Sequence, residues 1–208
     1  YKNTTASRLQ HQFNAGSINV RTATCDAKCE EVIAREADRA NLTICGLQET
    51  RRLKKGEVIL NIPGKKSQYI FHCLDLKEKG SKVLAYHKKV TIYTSQELNY
   101  HGPRHISASI VIKGCKVFVI SAYAPTETAT ASAKSAFYCE LNKIIKSRPQ
   151  NSQVIMHGGD FNATAQAASS YTRFRGSTYI TGDDLKSNEN GEKLLDFCRK
   201  HDLSMLNN

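Results

Sequence analysis

The constraint that weighs most on this chain is a short apolar run, Val154-Ile155-Met156, followed almost at once by Gly158-Gly159-Asp160-Phe161-Asn162-Ala163. The run has the composition of a buried strand, and the glycines behind it let the backbone turn sharply and let a phosphate approach closely. Residues two apart on an extended segment point the same way, so Asp160 and Asn162 are expected on one face. A strand tip of this kind suits a metal-bound phosphate. Taken alone, the hexapeptide fits an ordinary Asp-turn equally well, and other segments decide between the two.

Three of them bear on it. In Ser17-Ile18-Asn19-Val20-Arg21-Thr22 a polar amide sits between β-branched residues on what reads as an early strand, where Asn is disfavoured unless its amide has a task. Leu42-Thr43-Ile44-Cys45-Gly46-Leu47-Gln48-Glu49-Thr50-Arg51 is a second strand-like run, and its polar end makes Glu49 a metal-ligand candidate. Val117-Phe118-Val119-Ile120-Ser121-Ala122-Tyr123-Ala124-Pro125-Thr126 is a third, stopping at Pro125 just past a phenol that can donate to a phosphate oxygen.

In this order the segments resemble the endonuclease/exonuclease/phosphatase superfamily, and within it the apurinic-type endonuclease domain that opens LINE-type (non-LTR) retrotransposon polyproteins. Gln48-Glu49-Thr50, Ala122 to Thr126 and Gly159-Asp160-Phe161-Asn162 carry the resemblance, together with Asn188-Glu189-Asn190-Gly191-Glu192-Lys193-Leu194-Leu195-Asp196-Phe197-Cys198, which looks like the helix placed after the Asp-Phe-Asn strand. It runs from about Ile18 to the last residue. Strands interleaved with helices already argue an α/β layered architecture. The resemblance sharpens this to a four-layer sandwich, two mixed β-sheets packed face to face with flanking helices and with the C-terminal strands missing. Residues 1–16 read as a flexible lead-in, and 17–208 as the domain.

The resemblance also implies a chemistry, hydrolysis of phosphodiesters, which needs an activated water, charge neutralisation and help for the leaving oxygen. Glu49 is expected to hold the metal, with Asn19 beside it. Asp160 would orient or deprotonate the water, Asn162 would bond the phosphate or help place the metal, and Tyr123 would donate to a phosphate oxygen. Arg104 stands where nuclease relatives place a phosphate-contacting base. Mg²⁺ is the expected cofactor, with Mn²⁺ as the alternative and no small-molecule cofactor; Mg²⁺ takes only one or two protein carboxylates.

One departure matters. Relatives finish with a site Asp and a Ser-Asp-His element on strands after the Asn-Gly helix, whereas this sequence stops at Leu203-Ser204-Met205-Leu206-Asn207-Asn208, on what reads as the first of those strands. His201-Asp202 has the wrong order and falls in the helix. The expectation is therefore a C-terminally truncated domain with impaired hydrolysis. Lys79 to Tyr86 also differs from the Gly-rich strand of relatives. The function implied is nicking of duplex DNA for retrotransposition, in a polypeptide continuous with a reverse transcriptase. Two alternatives stay open: a repair-type nuclease or phosphatase of the same fold, and a non-catalytic DNA-binding remnant of a decayed element.

Composition is consistent with this. A chain of 208 residues with formal charge +11 and pI near 9.4 favours a polyanionic partner. No apolar run approaches the roughly 20 residues a bilayer requires and no signal segment opens the chain, so no membrane partner is expected. The reading is intracellular, nuclear for a working element, although no compact basic import cluster stands out. Seven cysteines, an odd and scattered set, read as reduced core residues. Cys25, Cys29, His72 and Cys73 match no zinc spacing, and the sequons at Asn3, Asn41 and Asn162 read as chance.

Elsewhere, Asp26 is placed as the cap of a helix buried through Cys29, Ile33, Ala37 and Ala40. Residues 51–67 and 163–190 read as surface loops. Strands are expected at 69–73, 83–86, 90–93 and 106–112. Ala133, Phe137, Leu141, Ile144 and Ile145 form a helix stripe ending before Pro149, and Leu194, Leu195 and Cys198 mark a closing helix. His101 and His105 read as loop residues.

Overall fold

The computed structural model describes residues 13–19, 26–48, 56–61, 68–73, 83–87, 91–92, 98–102, 104–112, 114–165 and 187–203. Its elements are β1 (Ala15–Asn19), α1 (Asp26–Arg39), β2 (Ile44–Gln48), β3 (Gly56–Asn61), β4 (Gln68–Cys73), β5 (Val83–His87), β6 (Thr91–Ile92) and β7 (Leu98–Tyr100). They continue with β8 (His105–Ile112), β9 (Cys115–Tyr123), α2 (Ala131–Lys146), β10 (Gln153–Asp160) and α3 (Glu189–Lys200).

Two strand–helix–strand units set the architecture. β1 and β2 pair in parallel across α1, and β9 and β10 pair in parallel across α2. Parallel neighbours require a long crossover, and a helix supplies it in both cases. Antiparallel β5, β4 and β3 extend the first pair into a sheet ordered β1-β2-β5-β4-β3. The second sheet runs β10-β9-β8-β6, with β7 also on β8. β10 lies against β1 and β2, and α1 packs on β3. The result is the four-layer α/β sandwich of two mixed sheets that the sequence led us to expect.

β9 explains how the layers hold. Its alternate residues Val117 and Val119 join Ile44 of β2 and Ile106, Ala108, Ile110 and Ile112 of β8 between the sheets. The intervening Phe118, Ile120 and Ala122 enter a second core with Phe137, Leu141, Ile144 and Ile145 of α2 and Leu194, Phe197 and Cys198 of α3. A strand buried on both faces reads as a continuous apolar run, which is why Val117 to Ile120 lacks alternation. Each large side chain so buried is worth about 1.5–3 kcal/mol.

Several local expectations need correction. Gly56–Asn61, assigned to a loop, is a strand paired with β4 from Gly56↔Cys73 to Asn61↔Gln68. Its Val58-Ile59-Leu60 core is short, and the lysines and glycine before it mask the signal. β7 was not expected; of the strand expected at 90–93, Thr91–Ile92 form β6, and Val90 and Tyr93 lie outside the described residues. α1 buries Ala34 and Ala37, while Ala40, past the helix end, is exposed. In α2, Ala133 is exposed and Lys134 takes the buried place. The closing helix starts at Glu189, so the preceding loop is shorter than expected. His201 caps α3 and Asp202 follows at φ +52°, so the pair lies past the helix rather than in it. Residues 1–12 lie outside the described residues, as do 166–186 of the long loop and 204–208. Of the described cysteines, Cys45 and Cys198 are buried but Cys139 is exposed. Burial pushes the thiol of Cys45 up to about 12 and that of Cys198 up to about 11, as inert core residues require.

Candidate active site

Parallel pairing puts the ends of strands side by side. Asn19, the last residue of β1, is in register with Gln48, the last of β2, and Tyr123, the last of β9, with Asp160, the last of β10. The acid and phenol expected at strand tips are thus register partners. Asn19 is the last described residue of β1, and Val20, the β-branched residue after it, lies outside the described residues. Glu49, the next residue after Gln48, lies outside the described residues. The expected sharp turn at the glycines is not what forms: β10 runs through Gly158 and Gly159 to Asp160, and the register shifts between Gly158 and Asp160. Bulges of this kind re-aim a strand end.

Asn162 departs from the alternation expected of it. Its backbone is left-handed, φ +47°, so the strand's period of two ends before it. Asn162 Nδ2 donates to the carbonyl of Ala124 at 3.1 Å, linking the loop after β10 to the loop after β9.

The start of α3 fixes both loops. Asn188 caps the helix, its Oδ1 accepting from Gly191 N at 2.8 Å and from Thr164 N at 3.0 Å, while its Nδ2 donates to Asn162 O at 3.0 Å. Asn190, fully buried, donates Nδ2 to Pro125 O at 2.9 Å and to Asn162 O at 3.3 Å, and its own carbonyl accepts from Tyr138 Oη at 3.0 Å. Gly191 is required there: a Cβ would run into the carbonyl of Thr164. Asn188 to Gly191 entered the sequence reading only as a helix start. Two amides and a glycine around a cap were the available signal.

Beneath this junction Lys134 is 2% exposed, with Nζ 2.8 Å from Glu189 Oε2 and 3.2 Å from Glu127 Oε1. The hydrogen bond from Lys134 is the main reason the Glu189 carboxyl titrates below its usual range. A lysine on an otherwise apolar stripe was the missed signal.

Arg104 and Tyr123 form a clip. Tyr123 N donates to Arg104 O at 3.0 Å, Arg104 Nη1 donates to Tyr123 O at 3.2 Å, and the guanidinium carbon lies 5.6 Å from the ring centroid. The guanidinium expected to meet phosphate is turned onto the candidate phenol, its fork retaining further N–H donors. His105 is not a loop residue but part of β8, opposite Ala122, buried and stacked on Phe137 with centroids 4.5 Å apart. His101 does lie outside the strands, partly buried, with Nε2 2.8 Å from Ser107 Oγ, and desolvation lowers its pKa.

Among the described residues no three His, Cys, Asp or Glu gather as a metal-binding group. The strand ends carry amides, a phenol and a carboxylate, all oxygen-bearing groups. No helix of the described residues is long and apolar enough to cross a membrane.

Residues 117–208 match the model of a family described as endonuclease-reverse transcriptase. Over 198 residues the sequence is 26% identical to craniofacial development protein 2 of Tragulus javanicus and 25% identical to that of Bos taurus, covering 95% of this chain but 32% and 31% of theirs. The chain spans about a third of the length of these curated relatives. Its fold is similar to that of the endonuclease domain of TRAS1, a telomere-specific non-LTR retrotransposon, with a TM-score of 0.50 at 12% identity over 91% of this chain and 72% of that one.

Proposed function

We propose that this chain is a metal-dependent endonuclease domain of LINE type within the endonuclease/exonuclease/phosphatase superfamily, nicking duplex DNA to leave a 3′-hydroxyl that primes reverse transcription. The observation that carries this reading is the register pairing of Tyr123 with Asp160 at the ends of β9 and β10, beside an Asn162 loop locked by α3. The match of residues 117–208 to the endonuclease-reverse transcriptase family supports both the reaction and continuity with a reverse transcriptase.

Asp160 orients the attacking water and accepts its proton. Tyr123 donates its hydroxyl to a phosphate oxygen, and Arg104, braced on Tyr123, adds positive charge at the same place. Asn162 bonds the phosphate from a loop that cannot drift. Glu49 and Asn19 would hold a divalent cation; carboxylate and amide oxygens are the donors Mg²⁺ and Mn²⁺ take. When bound, the cation neutralises charge on the phosphate and the leaving oxygen.

The experiment is nicking of supercoiled plasmid in Mg²⁺ and in chelator, by this chain, its Glu49→Gln variant and a version extended through the downstream coding sequence. Mg²⁺-dependent nicking lost on Glu49→Gln is the expected result. A second reading, a non-catalytic DNA-binding remnant, draws on the curated relatives, whose names speak of development and not of hydrolysis. It predicts that every version binds DNA with a steep salt dependence and none nicks.

A further inference from the structure

α2 and α3 lie side by side and run the same way. Lys134 meets Glu189 at their starts, at 2.8 Å, and Asn142 Oδ1 meets His201 Nε2 at their ends, at 2.6 Å. Between them is an open groove of about 540 Å³, floored by Tyr138 and Phe197 and lined by Lys143, Lys146, Lys193 and Lys200, with Asp196 as the one acid. Lys143 is paired with Glu140 at 3.0 Å and Lys193 with Glu189 at 3.8 Å. Lys146 and Lys200, and Arg148 next to them, have no carboxylate within 4.0 Å among the described residues. The positive field at that end is felt by His201, whose pKa is lowered first by desolvation and then by Lys200, Arg148 and Lys146.

We propose that the groove between α2 and α3 is a second nucleic-acid site, holding a phosphodiester backbone along Lys143, Lys146, Lys193 and Lys200, apart from the strand ends. Cations in the last turn of a helix favour its dipole, which accounts for Lys143, Lys146 and Lys200 singly. It does not account for a concave surface with uncompensated charge along one side, where Lys146 and Lys200 stand. A single anion would leave most of the groove empty, whereas a strand of several phosphates matches its four lysines. Binding there rests on counterion release and reads no sequence.

The test is fluorescence anisotropy of the full chain, made Glu49→Gln so that no cleavage intervenes, with duplex DNA and with single-stranded RNA of equal length, across a salt series. Lys146→Glu/Lys200→Glu is compared with Arg35→Glu/Arg39→Glu on α1, which changes net charge equally. Each lost duplex phosphate contact flattens the slope of log affinity against log salt by about 0.9, so the groove variant is expected to lose nearly 2 and the α1 variant much less. The larger loss is expected with duplex DNA, and a loss confined to the single-stranded RNA overturns the duplex as occupant. Independently, nucleic acid is expected to slow alkylation of Cys139, the exposed thiol that lines the groove, in the unsubstituted chain. Equal losses in both variants, or a lower Tm for the groove variant with unchanged binding, overturn the proposal in favour of general charge or helix-end stabilisation. Unprotected Cys139 overturns it even if the groove variant fails to fold. Loss of nicking in the plasmid assay bears only on the strand-end site.

Discussion

Asn188 donates its side-chain amide to the carbonyl of Asn162 at 3.0 Å while its Oδ1 caps α3 through Gly191 N at 2.8 Å. A helix start and a candidate site loop are therefore one structural unit. Whatever loosens the first turn of α3 moves the backbone that presents Asn162.

Replacing Asn188 by Ala removes the cap and the loop tether together. A lost cap costs about 0.5–2 kcal/mol, and the upper part of that range is expected here because Oδ1 also serves Thr164 N. Asn188→Asp keeps the acceptor and loses only the donation to Asn162, so urea unfolding should show a smaller loss. Equal losses in the two variants would mean that the tether dominates.

Gly191→Ala drives a methyl into a backbone carbonyl, that of Thr164, which cannot swing aside as a side chain would. Overpacking of this kind costs about 1–3 kcal/mol. Thermal unfolding should show the loss, and hydrogen exchange should show faster opening at the Thr164 amide. A variant as stable as the parent would mean that the helix start adjusts freely.

Lys134 makes stability depend on acid. Because the Glu189 carboxyl is held below its usual value of 4.5, chiefly by the Lys134 hydrogen bond, its contribution is fully present above that value. It is lost as pH falls through the lower folded value. The contribution of Lys134, whose pKa is raised by the same bond, is complete below 10.5 and fades only as pH rises through the folded value. Melting curves of Lys134→Met should therefore flatten between about pH 5 and pH 3 relative to the parent. An unchanged acid limb would show that the ion pair carries no linkage.

Tyr123→Phe keeps the ring that Arg104 faces and removes only the hydroxyl, so on the proposed mechanism nicking falls by about 10² with little change in stability. Arg104→Lys keeps the charge and gives up the planar fork that reaches Tyr123 O. It should cost about 1 kcal/mol of stability as well as rate. Steady-state nicking beside thermal melting separates the two effects. A Phe variant as active as the parent would remove the phenol from the mechanism.

Much of this was legible because it is local. Val117 to Ile120 are apolar enough to be buried whichever way they face, Val154 to Met156 have the composition of a strand, and Phe137, Leu141, Ile144 and Ile145 repeat at helical spacing. The order of polar strand ends was readable for the same reason. β3 was not, since the ladder of a six-residue strand is completed by β4 and leaves little trace in its own residues. His105 escaped because the Gly102-Pro103-Arg104 before it resembles a loop, while its ring is stacked on Phe137, 32 positions away.

The sequence by itself determined the α/β class and the helices at Asp26 and through Phe137 to Ile145, because composition and periodicity are properties of neighbours in the chain, and its motifs and their family resemblance named the candidates Asn19, Glu49, Tyr123, Asp160 and Asn162. Tertiary structure alone decided that Asn162 turns left-handed and bonds Ala124, that Arg104 lies on Tyr123, that Lys134 is buried between two carboxylates, and that Asn188 and Asn190 hold the loops after β9 and β10. The physical reason is common to all four. Each of these groups is held by a partner from a distant segment, as buried polar groups usually are, and that partner is chosen by the packing of helices on the sheet.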